Sequence, residues 1–257
     1  MTYHILKSLC LALALMPVAA CAEDAPSHCA RETVYDAPFV ICRFNQSADI
    51  RLFLTAPDGE AFGHFERLEE TLNTDDGTLV FAMNGGMYHE DRMPVGLYIE
   101  DGEQAQQLMT REGPGNFGML PNGVFYIDAS GAHVLESLAY RTLAPEAIYA
   151  TQSGPMLIID GEYHPSLNPA GTSLKRRNGV GVNEETGEVV FVISDTFVNF
   201  YTFARVFRDH LGTPNALYLD GTISRVYAPE LSRNEQGLRM GPIIGVVEAQ
   251  EFKEDHP

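Results

Sequence analysis

Four short polar motifs, each carrying glycine, end or interrupt apolar runs of this sequence and hold the side chains best suited to chemistry. In Ala82-Met83-Asn84-Gly85-Gly86-Met87-Tyr88 an amide precedes two glycines. Glycine lets the backbone turn sharply and approach a bound molecule, so Asn84, Gly85 and Gly86 read either as a ligand-contacting loop or as an ordinary Asn-Gly turn. In Thr151-Gln152-Ser153-Gly154-Pro155-Met156 the Ser153 hydroxyl and the backbone at Gly154 offer hydrogen bonds, or else form a plain turn. No G-x-S-x-G pattern surrounds Ser153, which argues against a serine nucleophile. In Lys175-Arg176-Arg177-Asn178-Gly179-Val180-Gly181-Val182, Arg177 leads into an apolar strand. Its planar fork suits two phosphate oxygens; a solvated basic turn is the other reading. In Leu217-Tyr218-Leu219-Asp220-Gly221-Thr222-Ile223-Ser224-Arg225, Asp220 falls at a strand end, where a carboxylate serves as base, nucleophile or metal ligand, or simply closes an Asx turn. Asp195 repeats this strand-then-carboxylate arrangement. His64, His89, His133, His164 and His210 are scattered without a tight metal-binding spacing. No cofactor and no metal ligand are predicted, and a divalent metal is left open.

These motifs need a scaffold of strand ends, because loops on a rigid frame are where sites are usually built. Strands are predicted at Phe39 to Phe44, Ile50 to Leu54, Leu79 to Met83, Val95 to Ile99, Val124 to Ile127, Ala147 to Ala150, Met156 to Ile159, Val180 to Val182, Val189 to Ile193, Ala216 to Leu219 and Pro242 to Val247. Asp101-Gly102 signals a hairpin. Two helices are predicted: Glu60 to Asn73, with Phe62, Phe65, Leu68 and Leu72 on one face, and Phe200 to Leu211, closed by Gly212. Strands outnumber helices and the helices lie far apart. The expected fold is one α+β domain with a large mixed or antiparallel β-sheet system and helices packed against it.

The 257 residues suffice for one sizeable core. A formal net charge of -18 argues against nucleic acid as a partner, since that binding neutralises phosphates with Lys and Arg. It also disfavours docking on anionic lipid. Residues 1–22 read as an export signal: Lys7, then an apolar run from Leu9 to Val18 too short to span a bilayer, then small residues. Cleavage falls either at Ala20-Cys21-Ala22 or, as in a lipoprotein, after residue 20, leaving Cys21 to carry a lipid that attaches the chain to a membrane. Periplasmic or extracellular placement follows, and there the remaining Cys29 and Cys42 are expected to pair.

Taken in order, the motifs resemble the phosphodiester glycosidase family, typified by the enzyme that removes N-acetylglucosamine from a sugar phosphodiester, and the exported bacterial branch in particular. Asn84-Gly85-Gly86-Met87-Tyr88 is similar to its N-G-G-aromatic segment, and Ser153-Gly154-Pro155 with Asp160-Gly161 to its S-G-P segment. Arg177-Asn178-Gly179-Val180-Gly181-Val182 is similar to its R-x-A-I-G-V strand, and Leu219-Asp220-Gly221 with Ser224 to its L-D-G-G-G-S-S end. Here Thr222-Ile223 replace two glycines and Arg225 a serine, bulk that should narrow backbone approach at the loop. On this resemblance residues 23–78 contribute the first strands and a helix, and 79–257 form the glycosidase-like core.

The resemblance implies an exported hydrolase that cleaves a glycosidic bond in a sugar-phosphate diester; the alternative is a non-catalytic glycan- or phosphoglycan-binding envelope lipoprotein. Asp220 would be nucleophile or base and Asp195 the second carboxylate. Arg177 would hold the phosphate with help from Arg225. Asn84, Ser153, Asn178 and Ser224 would orient the substrate, with Gly85, Gly86 and Gly154 giving room. A small carbohydrate or sugar-phosphate is the implied partner.

Overall fold

The computed structural model describes residues 27–72 and 77–249; the expected export signal, with its lipidation site Cys21, lies outside them. The fold is a single α+β domain of three antiparallel sheets, each with a helix or helical segment on its outer face.

The largest sheet has seven strands in the order Cys29–Val34, Ala37–Asn45, Glu188–Ser194, Asn178–Asn183, Asn215–Asp220, Met156–Ile159 and Glu162–Tyr163. A second has five: Arg233–Asn234, Val226–Ala228, Thr78–Asn84, Ile243–Glu248 and Asp49–Phe53. The third has Glu103–Gln106, Tyr98–Glu100, Tyr149–Ser153, Gly123–Asp128 and Gly131–Glu136. Period-two alternation sends Val40, Cys42, Phe191 and Leu217 of the first sheet inward. There they meet Phe81, Met83 and Ile244 of the second and Tyr98, Phe125 and Val134 of the third in one shared core.

The opposite face of each sheet is covered separately. Helix α1 (Phe65–Leu72) packs on the second sheet, α2 (Ser137–Leu143) on the third, and α3 (Phe200–Arg205) on the first, where Phe203 and Phe207 lie against Ile41, Val192 and Ala216. Helix α1 starts five residues later than predicted, because Gly63 takes a left-handed φ of +70° and Ala61 bridges Thr55. Helix α3 gives way at Val206–His210 to a π-helical turn, with Leu211 N–H bonded to the Val206 carbonyl, before Gly212 closes it at φ +64°. Cys29 and Cys42 face each other across the first hairpin and are joined as a disulfide. Among the described residues no helix is long and apolar enough to cross a membrane.

Candidate active site

The three sheets converge at their strand ends. Asn215–Asp220 of the first sheet delivers Asp220, residues 221–225 then cross to the second sheet, and the chain continues as Val226–Ala228 beside Thr78–Asn84. Asn84 therefore meets Asp220 across a sheet boundary, with its Nδ2 at 3.4 Å from Asp220 Oδ2 and 3.2 Å from Asn178 Oδ1. Asn178 lies opposite Asp220 in the first sheet, at a register shift, and returns a 2.9 Å hydrogen bond from its Nδ2 to the Asn84 carbonyl. Asn84 Oδ1 accepts the Arg225 main-chain N–H at 3.0 Å. Ser224 Oγ donates to the Arg176 and Asp220 carbonyls, both at 3.0 Å, and lies 3.3 Å from Asn178 Oδ1. The third sheet braces this assembly from behind: Thr151 Oγ1 donates to the Gly85 carbonyl at 2.7 Å and Ser153 Oγ to the Leu219 carbonyl at 2.9 Å.

Asp220 is 7% exposed, and its carboxylate is caged by its own loop. Oδ1 accepts the Gly221 and Thr222 N–H groups at 2.6 and 2.9 Å, and Oδ2 accepts Ile223 N–H at 3.0 Å. Burial pushes its pKa above the usual aspartate range, opposed by those three amides, which favour the charged form. A carboxylate has about four acceptor directions. Each oxygen thus takes two donors, and the 3.4 Å Asn84 contact on Oδ2 is the longest of the four. Asp220 opens onto a cleft of about 340 Å³ lined also by Met87, Tyr88, Val95, Asn116, Thr222 and Ile223. Tyr88 is half-buried; burial and the Asp220 charge raise its pKa, against Arg92 and Arg225, which lower it. The cleft thus joins a carboxylate, an amide and a phenol to an apolar wall, a mixture suited to a sugar ring.

The structure brings Asn84, Asn178, Ser224 and Asp220 together and places Arg177, Asp195 and Ser153 outside the lining of the cleft. Arg177 is fully buried, with its guanidinium 3.6 Å from the Phe200 ring and 5.3 Å from that of Tyr218. Its Nε donates to the Val198 carbonyl and its Nη2 to that of Ser173. With Nε and Nη2 so committed, and Nη1 buried without an acceptor among the described residues, the side chain fastens the 173–177 and 198–200 segments and is not among those lining the cleft. Asp195 is held in a fork by Arg233, both contacts at 2.9 Å, and by Arg176 at 3.3 Å; it is a neutralised carboxylate outside the cleft. Ser153 is buried on the Leu219 carbonyl and braces the strand that carries Asp220.

The glycines divide similarly. A Cβ at Gly85 would lie 3.1 Å from the Ile243 backbone, and one at Gly154 2.6 Å from Asn122 Cβ. Gly86 takes φ +148° beside Thr151 Oγ1. Gly86 thus sits where the second and third sheets meet, and Gly85 and Gly154 secure close packing beside their own strands. Sequence reasoning assigned no role to Tyr88, Asn116, Met87 or Val95; Met87 and Tyr88 stood within a quoted motif and Val95 in an expected strand, but Asn116 carries no signal until folding gathers them.

The phosphodiester glycosidase family model matches residues 77–241, which contain the whole site. A protein of Escherichia coli K12, YigE, whose activity is uncharacterized, is 38% identical over 225 residues, covering 86% of this chain and 85% of its own. In fold the chain is similar to the zebrafish N-acetylglucosamine-1-phosphodiester α-N-acetylglucosaminidase catalytic domain, at TM-score 0.60, 16% identity and coverage of 88% of this chain and 85% of that one. A hypothetical protein from Synechocystis matches at TM-score 0.52 and 13% identity, over 86% of this chain and 61% of its own.

Proposed function

The chain belongs to the phosphodiester glycosidase family, and from that membership we propose that it is an exported hydrolase cleaving the glycosidic bond of a sugar-phosphate diester. The observation that carries this reading is the Asp220 carboxylate, buried at a strand end, bonded across a sheet boundary to Asn84 and open to a cleft of monosaccharide size. Glycoside cleavage passes through an oxocarbenium-like state and ordinarily employs two carboxyl groups, one of them to protonate the leaving oxygen. A phosphate monoester leaves without that proton, so one carboxylate facing the anomeric carbon is enough. The Asp220 carboxylate supplies that charge, as nucleophile or as base on water, while the Gly221, Thr222 and Ile223 amides hold the group in place. Asn84 fixes the carboxylate and, through the Arg225 amide, the far end of the same loop. The Cys29–Cys42 disulfide supports an oxidising compartment outside the cytoplasm.

The test is sugar release from a panel of sugar-1-phosphate diesters, with and without chelator, by wild type and Asp220→Asn. The asparagine keeps the shape and removes the charge, so kcat/KM should fall by roughly 100-fold or more. Since burial raises the Asp220 pKa, the acid limb of the wild-type profile should lie above the range of an ordinary aspartate. Near-wild-type turnover by Asp220→Asn would remove Asp220 from the mechanism.

A further inference from the structure

Arg225 stands where the family-like motif has serine, and it is freer than the other buried arginine, Arg177, of whose guanidinium nitrogens only Nη1 lacks an acceptor among the described residues. The Arg225 main-chain N–H is bonded to Asn84 Oδ1, so the side chain starts from within the site. The residue is 5% exposed, yet neither Nη1 nor Nη2 meets an acceptor among the described residues. Glu235, whose charge it feels, is already engaged: Oε1 holds Arg176 and Arg233, and Oε2 accepts the Val226 N–H at 3.2 Å. Gly237 closes over the guanidinium at φ +156°, and a Cβ there would lie 3.2 Å from both Cζ and Nη1. Beside it, Gly63 takes a left-handed turn against Arg239, whose Nε would be 3.0 Å from a Cβ at that glycine. His64 follows, and burial together with the Arg225 and Arg239 charges holds its imidazole below the ordinary range. Tyr88, in the cleft wall, feels both Arg225 and Asp220. Arg225 and Arg239 thus gather two positive charges around His64, and Tyr88, which feels Arg225, links them to the cleft wall, in a chain of net charge -18. Removing a guanidinium from water is costly unless acceptors replace the water, and two adjacent free nitrogens of a planar fork match two oxygens of one oxyanion.

We propose that Arg225, backed by His64 and Arg239, is the receptor for a phosphoryl oxyanion, and that it sets this chain's preference on the leaving side of the substrate. The proposal deepens the phosphodiester reading and rests on it. When the bond from the anomeric carbon to oxygen breaks, its electron pair stays on the phosphate oxygen. Water supplies hydroxyl to the carbon and its proton is released, so the phosphate passes from one negative charge to two. A guanidinium binds the dianion better than the monoanion, and so favours the state toward which the reaction moves. This gives Arg225, expected from the resemblance only to help Arg177, the principal contact with the phosphate.

Inorganic phosphate is the probe, titrated into the full mature chain by calorimetry while the His64 ring protons are followed by NMR. Wild type should bind phosphate, and the His64 pKa should rise as the anion offsets the neighbouring charges. Arg225→Met and Arg225→Ser should bind about 10- to 100-fold more weakly, as when a charged hydrogen-bonding partner is removed, and should abolish the His64 response. Arg225→Lys should recover part of the affinity, and near-ultraviolet dichroism establishes that each variant is folded. Asp220→Asn should lose turnover and keep phosphate binding. Equal phosphate binding by wild type and folded Arg225→Met, or a His64 signal indifferent to phosphate, overturns the receptor. If diesters are hydrolysed and phosphate inhibits Arg225→Met as it does wild type, the receptor fails and the glycosidase reading stands. If phosphate binding follows Arg225 but no diester is cleaved, the glycosidase reading fails and the receptor stands.

Discussion

Glu100→Gln should make the protein more stable at pH 8 and leave it nearly unchanged at pH 5. Glu100 ends the Tyr98–Glu100 strand of the third sheet and reaches to the second, where its Oε2 accepts the Leu54 N–H at 3.1 Å and the Tyr98 hydroxyl at 2.9 Å. Burial is the main influence on the carboxyl and pushes its pKa up to about 7 from an ordinary 4.5; the Tyr98 and Leu54 hydrogen bonds pull the other way, and Asp101 adds to the rise. A group whose pKa is raised on folding is held more tightly as the proton-bearing form in the native state. Its contribution is complete below about pH 4.5, is lost as pH climbs through 7, and makes native stability decline across that window. At ~1.4 kcal/mol per pH unit the full displacement corresponds to about 3 kcal/mol. Solvent on the open side of the group reduces this to roughly 1–2 kcal/mol. Glutamine keeps an oxygen for the same two donors and never ionises, so it avoids the cost of a buried charge. Urea unfolding followed by circular dichroism at pH 5, 6, 7 and 8 measures the effect as the difference between variant and wild type, which cancels the titration of every other carboxyl. The gap should open between pH 5 and 8 in favour of the variant. A difference that is flat with pH, or that favours wild type at pH 8, would refute the argument.

Two further outcomes follow from the same packing. Replacing Cys29 and Cys42 together by alanine should cost about 3 kcal/mol in the chain-entropy picture, read by chemical denaturation, because their disulfide closes a loop across a sequence separation of 13 in the first hairpin; unchanged stability would show that the strand pair is held fully by its other contacts. Arg177→Lys should lose the stack under Phe200 and the forked pair of carbonyl contacts. It should lower stability by roughly 2 kcal/mol while leaving KM for a phosphodiester within about twofold of wild type, and a selective rise in KM would return Arg177 to the substrate.

Much of the scaffold was legible because the signals were local. Apolar runs such as Val189 to Ile193 and Met156 to Ile159 fold as the strands Glu188–Ser194 and Met156–Ile159, and Asp101-Gly102 turns between two strands as its type requires. The strands Cys29–Val34 and Gly131–Glu136 escaped notice because each mixes polar residues into a short segment whose partner strand supplies the order. Helix α2 was equally silent: its N-terminus is capped by the Glu136 side chain, which accepts the Leu138 and Ala139 N–H groups, and not by the serine or threonine usually sought there. The site was legible as a set of strand ends but not as a division of labour. Arg177 and Arg225 look alike in sequence, and only the fold shows one stacked beneath Phe200 with Nη1 alone unbonded and the other facing Gly237 with neither Nη1 nor Nη2 bonded. The glycines at 179 and 181 likewise belong to packing. A Cβ at Gly181 would stand 2.8 Å from Phe207 Cδ1, and one at Gly179 3.1 Å from Phe203 Cε1, so they exist to seat α3 and the turn after it on the sheet.

The loop after Asp220 separates chemistry from specificity in a way the sequence pattern obscured. Two glycines in the related pattern suggested a backbone that needs them, so Thr222 and Ile223 looked like obstructions. Neither residue takes a positive φ here, and glycine's freedom is therefore not required at either position. It is required next door, since a Cβ at Gly221 would fall 2.0 Å from the Tyr218 hydroxyl. The amides of Thr222 and Ile223 hold the Asp220 carboxylate through the main chain alone, at 2.9 and 3.0 Å, whatever side chains they carry. Those side chains meanwhile line the cleft. Substitution at 222 and 223 can reshape what the cleft accepts without disturbing the carboxylate. At 225 the side chain is equally free to change, because only its amide is bound to Asn84. A five-residue connection between two sheets thus holds the Asp220 carboxylate by its backbone and lines the cleft with the side chains of Thr222 and Ile223.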